Sequence, residues 1–102
     1  MARFDVYRFR SRATPLVVDV QADVLSDLAS RVVVPLVTID QAEKEVLARL
    51  KPAIRIAGND YILMTTDLAA LSVARLGPHV AKLEGSDRDA VTNALDFLFF
   101  GF

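Results

Sequence analysis

A chain of 102 residues with 12 Lys and Arg, 13 Asp and Glu and no Cys has the size of one domain, 1–102. The formal charge of −1 gives no electrostatic basis for direct binding of nucleic acid or of an anionic membrane. The absence of Cys excludes a disulfide framework, a thiolate zinc site and a cysteine nucleophile.

The chain is more apolar than a domain of its size needs. Hydrophobic residues make up 53% of it, above the roughly 45–50% that is usual, and its mean hydropathy is +0.34. A domain this small buries only about 60–65% of the surface that its unfolded chain exposes. The surplus predicts burial against another chain.

No segment predicts membrane insertion or secretion. The longest run without a charged residue, Val32 to Ile39, is far shorter than the about 18 apolar residues of a membrane helix. Arg3, Asp5 and Arg8 interrupt the start of the chain, which therefore lacks the apolar core of a secretory signal. We expect a cytoplasmic protein without a membrane partner.

The first part of the chain predicts strands. Arg3–Arg10 and Leu16–Gln21 mix β-branched or aromatic residues with polar ones, and the polar loop Arg10–Pro15 between them predicts a hairpin. Arg31–Val37 is β-branched on both faces. Because proline cannot donate to a strand ladder, Pro35 predicts an edge strand or a bulge.

The middle of the chain is less uniform. Asp40–Leu50 is ambiguous, although its Glu, Lys, Ala and Leu favour a helix. Ala53–Ala57 and Tyr61–Thr66 flank Gly58–Asp60, which predicts a hairpin turn. Leu68–Leu76 is compatible with a helix or a strand, and Gly77 and Pro78 follow it.

The last segment predicts an amphipathic helix. Ser86–Asp89 fits an N-terminal capping arrangement with Ser86 as the cap. One apolar stripe follows at helical spacing, formed by Ala90, Val91, Ala94, Leu95 and Leu98. The pattern predicts a mainly β protein with α (α+β), in which several antiparallel strands precede one C-terminal helix.

Catalytic and cofactor chemistry have few candidate residues. The single histidine, His79, has no partner that the sequence reveals, and a solvated loop histidine is the simpler interpretation. One His without any Cys does not favour a metal site. Gly58–Asp60 has no Lys-Ser or Lys-Thr after it, as a phosphate-binding loop would. We expect no cofactor and no metal.

Two polar groups leave an enzymatic alternative open. An arginine cluster could contact RNA phosphates, as in a ribonuclease toxin, or form the solvated face of a strand and its loop. Thr65–Asp67 could supply catalytic side chains beside an apolar strand, or form an ordinary turn. The arginine cluster consists of Arg3, Arg8, Arg10 and Arg12.

Phenylalanine is concentrated at the end of the sequence. Four of the six Phe residues lie in its last six positions, at Phe97, Phe99, Phe100 and Phe102. Successive helical residues are about 100° apart, so these side chains surround the helix and cannot all face one core. The segment either packs into a core or dimer interface, or presents aromatic side chains to another protein.

Short segments carry a resemblance to one family along the whole chain. The most specific are Val18–Gln21, Met64–Asp67 and the closing aromatic-Gly-apolar triplet Phe100–Phe102. The chain is thereby identified as similar to CcdB, the toxin family of type II CcdA–CcdB toxin–antitoxin modules. Further matches are Val6, Tyr7, Asp23, Val34, Pro35, Leu36, Pro52, Gly77, Val80, Ala81, Leu83 and Phe99.

The resemblance implies a fold and a mode of action. It implies a small bent antiparallel sheet, or partly open barrel, of the CcdB/MazF type with a C-terminal helix, assembled as a homodimer. It implies a protein that is not an enzyme but a topoisomerase poison, which binds the A subunit of DNA gyrase and traps the gyrase–DNA cleavage complex. A CcdA-like antitoxin would neutralise it, help repress the operon and complete a plasmid-maintenance module.

The resemblance also assigns residues by position. The gyrase-binding set is Phe100, Gly101, Phe102, Phe99, Asp96, Ala22, Val24 and Leu25. The antitoxin is expected to share part of that surface, at Val24, Leu25, Asp96, Phe99 and Phe100.

Three positions depart from the family pattern. Phe100 replaces the family's Trp and therefore lacks the indole N–H, although its ring can still stack. Asp96 stands where the family has Asn, and Phe102 is bulkier than the usual aliphatic residue. The alternatives are a weakly toxic or non-toxic relative that binds a CcdA-like antitoxin, and a MazF-like endoribonuclease.

Overall fold

In the computed structural model, residues 2–9, 14–39 and 48–102 are described. Seven strands in these ranges form one curled antiparallel sheet, a half-barrel, and one helix follows them. The strands are β1 (Asp5–Arg8), β2 (Leu16–Asp19), β3 (Ser30–Thr38), β4 (Ala53–Ile56), β5 (Asn59–Leu63), β6 (Ala69–Ser72) and β7 (His79–Lys82); the helix is α1 (Gly85–Phe100).

Strand order explains how distant segments meet. The order is β4-β5-β3-β2-β1-β7, and β6 pairs with β3 beside β5. β1 therefore lies between β2 and β7 and brings the start of the chain next to the strand that leads into α1. Gly77, just before β7, passes close to the end of β1 and has to be glycine, because a Cβ there would lie 2.7 Å from the carbonyl oxygen of Arg8.

The two faces of the sheet are packed differently. The inner face and the buried side of α1 form the main core, to which Val91, Ala94 and Leu95 contribute from the helix. Tyr7, Val17 and Val33 form a smaller cluster of their own. The predicted helical stripe is thus confirmed, because its central residues are buried in the core.

The predicted mainly β architecture with a C-terminal helix is confirmed, with shorter strands than the sequence suggested. Leu68–Leu76, which was compatible with either type, contains β6 followed by the 3₁₀ turn Val73–Arg75. Tyr61–Thr66 is only partly strand, since Thr65–Asp67 forms another 3₁₀ turn. Most of Asp40–Leu50 lies outside the described residues, as do Arg10 and Arg12.

The prediction that Pro35 marks an edge strand or a bulge is wrong. β3 is an interior strand, and its register with β2 is continuous through the Val17–Pro35 pair. On its other side β3 pairs with β6 through Val33 and with β5 from Leu36 onward. Pro35 lies between these two pairings, so its missing N–H removes no ladder hydrogen bond.

Two local boundaries also differ from prediction. The β4–β5 hairpin is present, but its turn is Ala57-Gly58, both with positive φ (52° and 83°), and Asn59 already belongs to β5. Two residues with positive φ match the twist of a tight hairpin. The predicted Ser86 cap is wrong: α1 already begins at Gly85, so Ser86 lies in its first turn, and the N-cap Glu84 makes no side-chain capping hydrogen bond.

Within the described ranges, no helix combines the length and apolar character required to cross a bilayer.

Candidate functional site

The segment after β2 is held in place by one buried glutamine. The Gln21 amide nitrogen donates to the carbonyl oxygens of Leu25 (3.0 Å) and Ser30 (3.3 Å), and its amide oxygen accepts from the backbone N–H of Val32 (3.0 Å). The backbone N–H of Gln21 donates to Asp19 Oδ1 at 3.0 Å. One side chain thus fixes both ends of the connection between β2 and β3.

This connection presents apolar side chains to the surface. It begins with the 3₁₀ turn Asp23–Leu25, in which Val24 is 89% exposed and Leu25 is 47% exposed. The carboxylate of Asp23 accepts from the backbone N–H of Arg3 at 2.7 Å. The turn is therefore anchored to the start of the chain as well as to β3.

A groove of about 490 Å³ lies between this turn and α1. Arg3 and Asp96 are its charged lining residues, one of each sign. Its apolar lining comes from the sheet, the turn and the helix, and includes Val20, Ala22, Leu25, Leu68, Leu95 and Phe99. An apolar groove with a few polar groups at defined positions is typical of a binding site for a peptide segment or a small ligand.

Beyond the groove, the helix ends in exposed aromatic side chains. α1 ends at Phe100, and Gly101 caps it with a positive φ of 79° and a backbone N–H that donates to the Phe97 carbonyl at 3.0 Å. A left-handed C-cap of this kind favours glycine. The exposed fractions are 63% for Phe99, 67% for Phe100 and 75% for Phe102.

The aromatic residues at this end of α1 differ in their contacts: Phe97 packs against the protein, whereas Phe100 and Phe102 contact each other at the surface. Phe97 is half-buried, and the guanidinium of Arg49 lies 4.8 Å from its ring centre. The Phe100 and Phe102 rings lie 6.3 Å apart and are tilted by 34°. Their contact with each other leaves both rings largely exposed, so this pair forms an apolar protrusion next to the groove.

The structure brings four of the residues assigned by resemblance into one site. Ala22, Leu25, Asp96 and Phe99 line the groove. Val24 is on the same turn but is not part of the lining, and Phe100, Gly101 and Phe102 follow at the exposed end of the helix. Sequence reasoning missed the contributions of Arg3, Gln21 and Leu68, whose proximity depends on strand pairing.

The residues considered for catalysis are separated into different places. Thr65 is buried, and its hydroxyl donates to the Leu50 carbonyl at 2.5 Å, whereas Thr66 and Asp67 are exposed. His79, by contrast, has a partner that the sequence did not reveal: its Nε2 lies 3.2 Å from Asp5 Oδ1. The antiparallel pairing of β1 with β7 creates this contact.

The group around Asp5 is polar and partly exposed. Tyr7 donates its hydroxyl to Asp5 Oδ2 at 3.3 Å, and its ring meets His79 edge-on at 5.6 Å between centres. Burial raises the pKa of Asp5, but the backbone N–H of Ala2, the hydrogen bond with His79 and the charge of Lys82 outweigh it, so that the pKa lies below its ordinary value. The carboxylate is therefore a stable negative partner for His79.

Among the described residues, no group of three or more His, Asp or Glu side chains is arranged to hold a metal ion.

Comparison with known proteins identifies a family and a fold. The family model described as CcdB protein matches residues 3–101. An endoribonuclease in complex with its cognate antitoxin, from a mycobacterial species, has a TM-score of 0.77 at 16% identity, covering 94% of this chain and 91% of that one. An endoribonuclease from a mycobacterial species has a TM-score of 0.76 at 17% identity, covering 94% and 88%.

A third solved structure gives the same result. The Mycobacterium tuberculosis toxin MazF-mt6 has a TM-score of 0.74 at 14% identity, covering 93% of this chain and 95% of that one. At such identities the likeness establishes a shared fold and leaves the activity to be argued from the site. The predicted CcdB/MazF type of fold is confirmed.

Proposed function

This chain belongs to the CcdB protein family, and we propose that it is a toxin of a type II toxin–antitoxin module that acts on DNA gyrase. In this proposal the protein binds the A subunit of gyrase and traps the complex in which the DNA is cleaved. It is a protein inhibitor, and the DNA-cleaving chemistry is that of its target.

The observation that carries the proposal is the exposed aromatic end of α1. Phe99, Phe100 and Phe102 all remain mostly exposed, although Leu95, one turn earlier, is buried in the core. Exposed aromatic clusters of this kind are costly in water and are enriched at protein-binding hot spots. These are also the positions that the family resemblance assigns to gyrase binding.

The groove supports the same proposal. Ala22 and Leu25 line the same groove as Phe99 and extend the apolar surface that a partner would cover, and Asp96 adds a carboxylate to it. Val24 adds a nearly fully exposed side chain on the neighbouring turn. A gyrase segment that receives the aromatic rings would contact this groove at the same time.

A CcdA-like antitoxin is the second partner that we propose. It would occupy Val24, Leu25, Asp96, Phe99 and Phe100 and thereby compete with gyrase for the same surface. One of the structurally similar proteins is an endoribonuclease in complex with its cognate antitoxin, which supports an antitoxin partner for this fold. A chain that binds antitoxin but poisons gyrase weakly is the alternative within the family.

We propose that the protein acts as a homodimer in the cytoplasm. Large apolar side chains outside the candidate site, such as Leu28 and Ile39, are each 52% exposed. Together with the aromatic end, they leave more apolar surface in water than a monomer usually tolerates. A second copy of the chain is the partner that family resemblance implies for part of this surface.

Removal of the end of the chain tests the proposal in cells. A variant that lacks Gly101 and Phe102 is expected to lose toxicity on overexpression, while its circular dichroism and its dimer in sedimentation remain unchanged. Arg55→Gln, which changes an exposed side chain on β4 outside the groove, is the control and should stay toxic. Loss of folding in the deletion variant would contradict the proposal, because the residues would then belong to the core.

A specific contact favours endoribonuclease activity as a second candidate. His79 has a carboxylate partner in Asp5, an arrangement that can position an imidazole as a general base, and the structurally similar proteins include endoribonucleases. Incubation of the purified protein with RNA tests it. Cleavage that disappears in His79→Ala and persists in Phe100→Ala would favour this candidate over gyrase poisoning.

A further inference from the structure

A second, basic pocket adjoins the apolar groove. It has a volume of about 270 Å³ and is lined by Arg3, Phe4, Ala22, Asp23, Lys82 and Arg88. Because Arg3 and Ala22 also line the groove, the two depressions are direct neighbours. One bound segment could therefore occupy both of them.

Two arginines in this pocket are held on one aromatic ring. The guanidinium carbons of Arg3 and Arg88 lie 4.9 and 5.1 Å from the centre of the buried Phe4 ring. Cation–π contacts of this length attract the guanidinium groups and limit their freedom. Phe4 itself is fixed by backbone hydrogen bonds to Asp19 and Leu83, so the ring provides a rigid base for both cations.

The charge of the pocket is not balanced. Lys82 has an acidic partner, since its Nζ lies 3.9 Å from Asp5 Oδ1. In the part of the chain that is described, neither Arg3 nor Arg88 forms a side-chain ion pair. Asp23 is the one acidic residue of the lining, against three cations, and its Oδ1 already accepts from the Arg3 backbone N–H. The pocket therefore favours an additional carboxylate or another anion.

The far end of the groove has the opposite charge. Asp96 lies eight residues after Arg88 on α1, which corresponds to about 12 Å along the helix axis. An extended peptide covers this distance in about four residues. The combined depression thus runs from a positive end, across an apolar middle, to a negative end.

We propose that the groove and the basic pocket form one binding site for a segment of the antitoxin in which an acidic residue lies within about four residues of large apolar residues. This inference rests on the proposed antitoxin partner and adds the chemistry of the segment. The acidic side chain binds Arg3 and Arg88, and the apolar side chains fill the space between Leu25, Leu95 and Phe99. The two charged ends determine how the segment lies in the groove, because its acidic residue is attracted by Arg3 and Arg88 and repelled by Asp96.

RNA is the other polyanion that a basic pocket could bind, and it fits this surface less well. The walls of the groove are mainly aliphatic, whereas single-stranded RNA is usually held by stacking of its bases on aromatic side chains. The carboxylate of Asp96 would also repel a phosphate backbone that follows the groove. An acidic peptide avoids this repulsion, because its charge lies at one end.

The test uses two matched pools of fluorescein-labelled synthetic peptides of about ten residues, long enough to span both depressions. In one pool a single glutamate precedes a Leu-Phe or Leu-Trp pair at varied spacing; in the other pool glutamine replaces the glutamate. Fluorescence anisotropy with the full-length protein is expected to give binding about tenfold tighter for the glutamate pool, as for a charge-assisted hydrogen bond. A labelled single-stranded RNA serves as the third probe.

Variants then assign the preference to the pocket. Arg88→Gln, which changes an exposed side chain, should reduce the preference for the glutamate pool, and the double variant Arg3→Gln/Arg88→Gln should bind both pools equally. Arg55→Gln removes the same charge from an exposed position on β4 and should retain the preference. Phe99→Ala should weaken both pools to a similar extent while the ratio between them persists.

Three results would overturn the inference. They are equal binding of the two pools to the unmodified protein, no binding of either pool, and Arg88-dependent binding of the RNA without binding of the peptides. Failure of the proposed gyrase activity would appear separately, as the absence of cleaved DNA in a gyrase assay, and would not change the ratio of the two pools.

Discussion

Asp19 on β2 and Arg31 on β3 form an ion pair that is fully buried: Asp19 Oδ2 lies 2.6 Å from Arg31 Nη2 and 2.8 Å from Nε, and both side chains have no exposed surface. Burial raises the pKa of Asp19, and the backbone N–H of Gln21 and the guanidinium of Arg31 oppose this effect. The same carboxylate therefore connects the core to the residue that holds the candidate site.

Removing one partner of this pair is expected to be strongly destabilising. Arg31→Met leaves the Asp19 carboxylate buried without its partner, which costs about 3–5 kcal/mol of the free energy of unfolding. Urea denaturation followed by circular dichroism measures the effect. Arg55→Met, at an exposed position of β4, is the control and should change stability by less than about 0.5 kcal/mol. Equal stabilities of the two variants would contradict the assigned role of the pair.

Replacement of Gln21 should weaken partner binding although the aromatic end of α1 stays unchanged. Gln21→Ala eliminates the hydrogen bonds to Leu25, Ser30 and Val32, so the turn that carries Val24 loses its fixed position. The loss of buried hydrogen bonds is expected to cost about 1–3 kcal/mol of stability and to reduce gyrase binding several-fold even where the protein is fully folded.

A surface variant provides the comparison for Gln21. Thr92→Ala removes an exposed hydroxyl that donates to the Arg88 carbonyl within α1, and it should retain both stability and gyrase binding. Binding to the immobilised A subunit of gyrase, at a temperature where circular dichroism shows each variant folded, separates the two effects. Unchanged binding of Gln21→Ala would show that the turn does not need this anchor.

Tyr7 is expected to make stability fall at alkaline pH. Burial, followed by the charge and hydrogen bond of Asp5, raises the pKa of Tyr7 to about 12, compared with the ordinary 10.0. The pKa of Tyr7 is higher in the folded protein than in the unfolded chain. The contribution of the protonated Tyr7 to folding stability is therefore complete below pH 10 and is lost as the pH rises from 10 to about 12. At about 1.4 kcal/mol per pKa unit, the loss approaches about 3 kcal/mol.

The two tyrosines of the chain allow this effect to be isolated. Denaturant unfolding at about pH 9 and about pH 11.5 should show a smaller alkaline loss for Tyr7→Phe than for the unmodified protein. Tyr61→Phe should show the full loss. In the Tyr61→Phe variant the absorbance change of tyrosine ionisation reports Tyr7 alone, and a midpoint near 10 would contradict the proposed environment.

The general architecture could be predicted from the sequence because local patterns determine it. The apolar stripe of Ala90–Leu98 predicted α1, and the alternating segments around Val6 and Val18 predicted the first hairpin. The family motifs added the curled form of the sheet. Pro35 was misleading, since its tolerance depends on a gap between β5 and β6 that no local pattern reveals.

Only those parts of the candidate site that the local sequence or a positional match reveals could be predicted. The aromatic residues Phe99–Phe102 are exceptional in any sequence context, and a positional match identified Ala22 and Leu25. Arg3 and Leu68 were missed, because three separate elements meet only after the strands have paired. A charged residue within an apolar strand, such as Asp19 in β2 or Arg31 in β3, was the available signal for the buried ion pair, since such charges require a partner.

The central claim is that the aromatic end traps gyrase on cleaved DNA, and a gyrase cleavage assay tests it most directly. Supercoiled plasmid, ATP and gyrase are incubated with the purified protein and then treated with detergent and protease. We predict linear plasmid that increases with protein concentration, is lost with Phe100→Ala and is retained with Arg55→Gln. Absence of linear DNA with folded protein, or an equal yield with Phe100→Ala, would contradict the account.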